Sequence, residues 1–146
     1  PLVVGAVLAG AGKKEVSKLI RFGLCLGMAF QIKDDLLDMF GKEKEIGKSS
    51  LGDLKESKKT LLLWHTYRNS TSKNKRYLNK VLAKITLSRH DLLAIKKLVM
   101  HSGARECLKN DIERLLRQAD TIRARLAMRK EYKTLLARLS LTLLAI

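Results

Sequence analysis

Apolar residues recur three and four positions apart along most of this chain, and that regularity leaves little besides helices for it to fold into. Val16, Leu19, Ile20, Phe22, Gly23, Leu26, Gly27, Phe30 and Leu37 form the broadest such stripe, on one long helix expected over residues 14–40. The single proline stands at position 1, so no helix interior is interrupted by one. Leu, Ala, Lys and Arg dominate the remainder and all favour helix. No segment alternates apolar and polar residues in the two-residue rhythm of a strand. The expected fold class is all-α.

The punctuation between helices is local. Residues 2–11 read as a short helix of small residues that turns at Gly12. Gly23 and Gly27, four apart, would let a neighbouring helix approach closely. Residues 41–57, "GKEKEIGKSSLGDLKES", hold three glycines and many charges and read as a loop. Helical spacing resumes over 58–68, 75–85, 89–101, 104–129 and 131–145. Ser88 and Asp91 are placed to start the 89–101 helix, and Gly103 in "HSGA" to end it. Trp64 and Tyr67 fall on a helical stripe and are expected in the core. His65, His90 and His101 are expected at the surface or at helix ends.

Charge is unevenly spread. Residues 1–64 hold 11 Lys/Arg and 8 Asp/Glu, whereas residues 65–146 hold 19 and 6. A basic distal half can serve nucleic acid, an anionic surface or simple solvation. No zinc spacing, aromatic stacking pattern or helix-turn-helix signal accompanies it, so nucleic acid is not expected as a partner. The opening "PLVVGAVLAGAG" stops at Lys13, too short to span a bilayer, and Arg21 and Lys33 interrupt the next apolar block. No integral membrane segment is expected. Cys25 and Cys107 lack metal-site spacing and are expected as reduced core thiols, consistent with a cytoplasmic protein. Pro1 already lies inside an apolar segment, which reads as a piece of something longer.

Against this background "GMAFQIKDDLLDMFG" stands out. Asp34, Asp35 and Asp38 are spaced three and four apart, so on a helix their carboxylates crowd one end of one face. Phe30, Leu36 and Leu37 beside them predict a largely buried helix, where clustered like charges destabilise unless a cation joins them. Carboxylate oxygens suit a hard ion such as Mg²⁺, which is commonly shared with substrate phosphates. Downstream, Lys48, Asp53 and Lys58 lie in "IGKSSLGDLKESKKT", where ammonium groups can reach phosphate oxygens. Ordinary surface lysines would look the same without that context. Asp53 can equally be a loop cap.

Taken together, "LGMAFQIKDDLLDMFG…IGKSSLGDLKESKKTLL" closely resembles the second aspartate-rich region of the trans-isoprenyl diphosphate synthases, the polyprenyl synthetase family. Gly27, Ala29, Phe30, Gln31, Ile32, Asp34, Asp35, Leu37 and Asp38 match that family's pattern, as do Gly47, Lys48, Asp53, Lys58 and Thr60. "IKKLVMHSGARECLKNDIERLLRQA" is similar to its C-terminal helices. The resemblance implies a partial isoprenoid synthase domain over 1–146, the C-terminal helices of a helical bundle without its N-terminal half. Residues 1–64 would carry the metal motif and diphosphate loop, and 65–146 the distal helices. It further implies prenyl transfer: an allylic diphosphate ionises and isopentenyl diphosphate attacks, giving a longer trans-polyprenyl diphosphate. By that resemblance Asp34, Asp35 and Asp38 hold Mg²⁺, Lys48 and Lys58 contact the allylic diphosphate, and Phe30 and Gln31 lie beside isopentenyl diphosphate. Asp34, Lys48, Lys58 and Gln31 would be the catalytic set, with Asp53 orienting the lysine loop. A homodimer is also implied.

Two substitutions depart from the pattern, Ser57 in place of glycine and Leu62 in place of a frequent proline. A larger difference is that no second Asp-Asp pair occurs in the 146 residues. The family's first such motif would lie before Pro1, supplied in cis or in trans. The chain alone is therefore expected to be nearly inactive and to expose much of its apolar stripe. A non-catalytic helical subunit of a heteromeric synthase is the alternative, with a basic nucleic-acid-binding helical protein behind it.

Overall fold

The computed structural model describes residues 1–41, 51–56 and 58–144, and among them there are 8 helices and no strand. They are α1 (Leu2–Leu8), α2 (Lys13–Phe40), α3 (Gly52–Lys55), α4 (Leu61–Asn69), α5 (Ser72–Leu82), α6 (Arg89–His101), α7 (Ala104–Ala124) and α8 (Lys130–Leu144). The all-α expectation holds. Two compact units result, one of residues 1–31 with 111–146 and one of residues 32–110.

In the first unit, α1 ends three residues early because Gly10 adopts a left-handed φ of 74° and its amide turns back to Val7 O at 3.0 Å. Phe22, Leu26 and Ala29 of α2 are buried, as are Ile112, Leu115 and Ala119 of α7. Helix α7 stops at Ala124, short of the expected 129, and two side chains from α2 meet the chain where it leaves the helix. Lys18 Nζ donates to Arg125 O at 2.8 Å, and Glu15 Oε2 accepts the Ala127 amide at 2.8 Å. That amide and the Lys18 ammonium hold the Glu15 carboxyl below its ordinary range.

The apolar stripe of α2 divides between buried and exposed sides. Leu19, Phe22 and Leu26 are buried, whereas Ile20, Leu24, Met28 and Phe30 are exposed, Phe30 by 46%. A Cβ added at Gly23 or Gly27 would meet nothing within 4 Å, so no described helix uses the close approach those glycines permit. The largely buried helix expected from Phe30, Leu36 and Leu37 is thus corrected, since Phe30 and Leu37 are exposed and Leu36 is half-buried, and the expected exposure of an apolar stripe is found.

The second unit packs α4, α5 and α6 against one another around Leu62, Leu63, Leu78, Val81, Ile95 and Val99. Thr60 and Thr71 cap α4 and α5 by accepting the Leu63 and Asn74 amides. Ser88 and Asp91 form the reciprocal cap of α6, as their spacing predicts, and Gly103 turns the chain at φ 70°. Arg105 lies 4.8 Å from the Phe40 ring centroid, joining the start of α7 to the end of α2. Trp64 and Tyr67 are corrected from core to surface: both are exposed and lie under Arg68 and Lys75 respectively. Cys25 and Cys107 are free thiols, as expected, but each is half-buried rather than in the core. Among the described residues no helix is long and apolar enough to cross a membrane.

Candidate functional site

The last two turns of α2 carry the three aspartates, and their surroundings differ. Consecutive residues on a helix point about 100° apart, so Asp34 and Asp35 cannot share one environment. Asp34 is exposed and makes no hydrogen bond or ion pair with any described residue. Asp35 is buried at 6% exposure. Asp38 lies between these extremes.

Asp38 has a structural duty that its sequence spacing does not reveal. Its Oδ1 accepts the Gly52 amide at 3.0 Å and its Oδ2 the Asp53 amide at 3.1 Å, capping the first turn of α3. The Leu51 amide adds a bond to the Asp38 carbonyl at 2.9 Å, with Leu51 itself in the left-handed region at φ 66°. Burial pushes the Asp38 carboxyl up, the two amides pull against it, and the nearby Asp53 charge raises it further. An ionised carboxylate offers about four lone-pair sites, so two remain after the amides are served.

Helix α3 then leads to the lysine. Asp53 Oδ1 accepts Lys58 Nζ at 2.7 Å, and the Lys58 amide donates to Asp53 O at 2.9 Å. Glu56 is a second partner for Nζ at 2.9 Å. Hydrogen bonds that it donates to Asp53 and Glu56 push the Lys58 ammonium up, so it stays charged. With three N–H donors and two acceptors, that ammonium keeps one direction open.

The structure therefore links Asp38, Asp53 and Lys58 through α3, all within the second unit. Lys48 lies outside the described residues, as do Gly47 and Ser57. Phe30 and Gln31 stand on α2 in the first unit, both exposed. Sequence reasoning missed the capping of α3 by Asp38 and the part played by Glu56. It also missed His65, whose Nδ1 lies 3.6 Å from Cys107 Sγ. Those partners are 42 positions apart, and no local pattern announces such a pair. His90 and His101, in contrast, sit exposed at the two ends of α6 as expected.

A family model of polyprenyl synthetase matches residues 1–99. The chain belongs to the polyprenyl synthetase family. It is 35% identical over 119 residues to a geranylgeranyl diphosphate synthase of Sulfolobus acidocaldarius, covering 77% of this chain and 36% of that protein. It is 32% identical over 128 residues to a (2E,6E)-farnesyl diphosphate synthase of Mycobacterium tuberculosis, covering 86% of this chain and 36% of that one. Among solved polyprenyl synthetase relatives, a geranylgeranyl pyrophosphate synthase superposes with TM-score 0.85 at 29% identity, over 98% of this chain and 45% of the other. A Corynebacterium glutamicum geranylgeranyl pyrophosphate synthase, solved with isoprenyl diphosphate and magnesium, gives TM-score 0.84 at 26% identity, over 96% and 40%. The chain thus spans between about a third and a half of the length of these polyprenyl synthetases, and its fold is that of one portion of their helical bundle.

Proposed function

We propose that this chain is the C-terminal portion of a Mg²⁺-dependent prenyltransferase that condenses an allylic diphosphate with isopentenyl diphosphate. Asp34 carries the reading: an exposed carboxylate with no described partner, one and four positions before Asp35 and Asp38 on the same helix. The donor chemistry suits a hard divalent ion, since all its atoms are oxygens and Asp38 retains lone pairs beyond those its amide bonds use. The three carboxylates do not converge within 4.8 Å of one another, so an ion would have to draw them together. Asp34, Asp35 and Asp38 would hold Mg²⁺, which when bound neutralises charge on a diphosphate leaving group.

The chain's own residues supply the remaining terms. Lys58, held ionised by Asp53 and Glu56, presents a fixed positive charge to phosphate oxygens, and Lys48 is assigned the same task. Asp53 orients Lys58. Phe30 and Gln31 would flank isopentenyl diphosphate, the ring excluding water from the reacting carbon. An N-terminal half carrying the other acidic motif, in cis or in trans, would complete the site, and the chain alone would have little activity. A cytoplasmic location and a homodimer belong to the same proposal.

Binding of a non-ionisable allylic diphosphate analogue, followed by calorimetry with and without Mg²⁺, tests this. Mg²⁺-linked binding that disappears in Asp34→Ala is the expected result, and binding indifferent to both would refute the proposal. A non-catalytic subunit is the second reading, and one observation favours it: capping of α3 gives Asp38 a purpose in a mere scaffold. No such purpose is visible for Asp34.

A further inference from the structure

A concave feature lies wholly within the first unit, between α2 and the C-terminal part of α7. It is a cavity of about 720 Å³, within the range of ligand-binding clefts. Lys18, Arg21, Arg114, Arg117 and Arg125 all line it, and no acidic side chain among the described residues does. Three of these cations are balanced from outside the wall: Lys18 by Glu15, Arg114 by Asp111 at 2.8 Å, and Arg117 by Glu113 at 3.3 Å. Arg21 and Arg125 have no acidic partner among the described residues. Arg21 and Arg125, both exposed, thus add positive charge without an acidic partner to one cleft, which an entering anion would balance. A concave wall also focuses that field more strongly than a convex surface would.

The rest of the lining narrows the ligand. Guanidinium forks match phosphate oxygens in pairs, and Gln118 and Thr121 add uncharged hydrogen-bonding groups. Leu24 and Ile122 give the same cavity an apolar side. We infer that this groove is a separate anion site that takes a phosphorylated ligand, its phosphate against Arg21 and Arg125 and its apolar part against Leu24 and Ile122. The inference needs neither Mg²⁺ nor the aspartates of α2. The phosphate can arrive on a free small molecule or as a lipid headgroup.

Cys25, half-buried, also lines the groove, and Cys107 in the second unit does not, so the two thiols make an internal comparison. Alkylation of each by iodoacetamide would be followed by mass spectrometry on the full chain, with EDTA present to keep divalent ions from the acidic site. Sodium pyrophosphate should protect Cys25 but not Cys107, beyond the effect of sodium chloride at equal ionic strength. In the double variant Arg21→Gln with Arg125→Gln, the pyrophosphate needed for protection should rise about tenfold or more, the loss expected for charge-assisted hydrogen bonds. Arg129→Gln, outside the groove, should change it less than about twofold, as for a screened surface charge. In a parallel arm, protection by phosphatidylglycerol vesicles but not by phosphatidylcholine or pyrophosphate assigns the phosphate to a lipid headgroup. Equal loss from Arg129→Gln, or no Cys25-selective protection by either probe, overturns the inference. Unchanged circular dichroism shows that the double variant remains folded.

Discussion

The carboxylate of Asp38 and the amide of Gly52, 14 positions apart in sequence, are joined at 3.0 Å, and this bond starts α3 on the end of α2. A Cβ added at position 52 would stand 3.1 Å from Asp38 Oδ1, so Gly52 is also the residue that lets the carboxylate come so close. Asp38→Ala is expected to cost about 1 kcal/mol in urea unfolding, the usual loss for a helix cap. Asp34→Ala should stay within about 0.5 kcal/mol, as for a surface site. Mg²⁺-linked diphosphate binding should fall in both. Equal stability of the two variants would show that the α3 cap carries no weight.

Lys58 offers the opposite balance. Its ion pairs with Asp53 and Glu56 are largely exposed, and such pairs contribute about 0–1 kcal/mol. Lys58→Gln should therefore leave the thermal midpoint almost unchanged while weakening the diphosphate analogue about tenfold or more, as loss of a charge-assisted contact predicts. A variant that loses stability but keeps its ligand affinity would make the lysine a structural residue.

What was readable in the sequence was what is local. The spacing of apolar residues fixed α2, α6 and α8 to within two residues at each end, and Ser88 with Asp91 announced their cap because three residues separate them. Helix α3 was hidden in an expected loop, since four residues carry no period and its start depends on Asp38. The end of α7 was misjudged for the same reason: Glu15 and Lys18, more than a hundred positions earlier, bind the backbone there. Trp64 and Tyr67 show a further limit, because a stripe marks a helix face without saying whether anything covers it. The aspartates were legible as a motif, but the division of labour between exposed Asp34 and capping Asp38 was not.

Phe22 and Phe30 sit on one helix with contrary fates, the first 1% exposed and the second 46%. Phe22→Ala should cost about 3–5 kcal/mol through the lost transfer energy and the cavity left behind. Phe30→Ala has little packing to lose and should cost far less, while weakening isopentenyl diphosphate binding in the completed enzyme. Denaturant titration of the two variants side by side checks the first claim. A comparable loss in both would mean that Phe30 is covered in solution.

Lys84 grips Asp91 with both carboxylate oxygens, at 2.9 and 2.8 Å, while Ser88 Oγ donates to Oδ2 at 2.7 Å. The lysine first, then the hydroxyl and amide of Ser88, hold the Asp91 carboxyl down from 3.8 to about 2. A carboxyl whose value is lower folded than unfolded stabilises the fold above its unfolded value, and that contribution drains away as pH falls through the folded one. The thermal midpoint should therefore drop between about pH 4 and about pH 2 through this site. Lys84→Met removes the largest cause, brings Asp91 back toward the ordinary carboxylate range and shrinks that acid-dependent drop. Ser88→Ala should cost about 1 kcal/mol at neutral pH through the lost cap. If Lys84→Met keeps the full drop on acidification, the ion pair is not what holds the carboxyl ionised, and Ser88 with its backbone amide must do so alone.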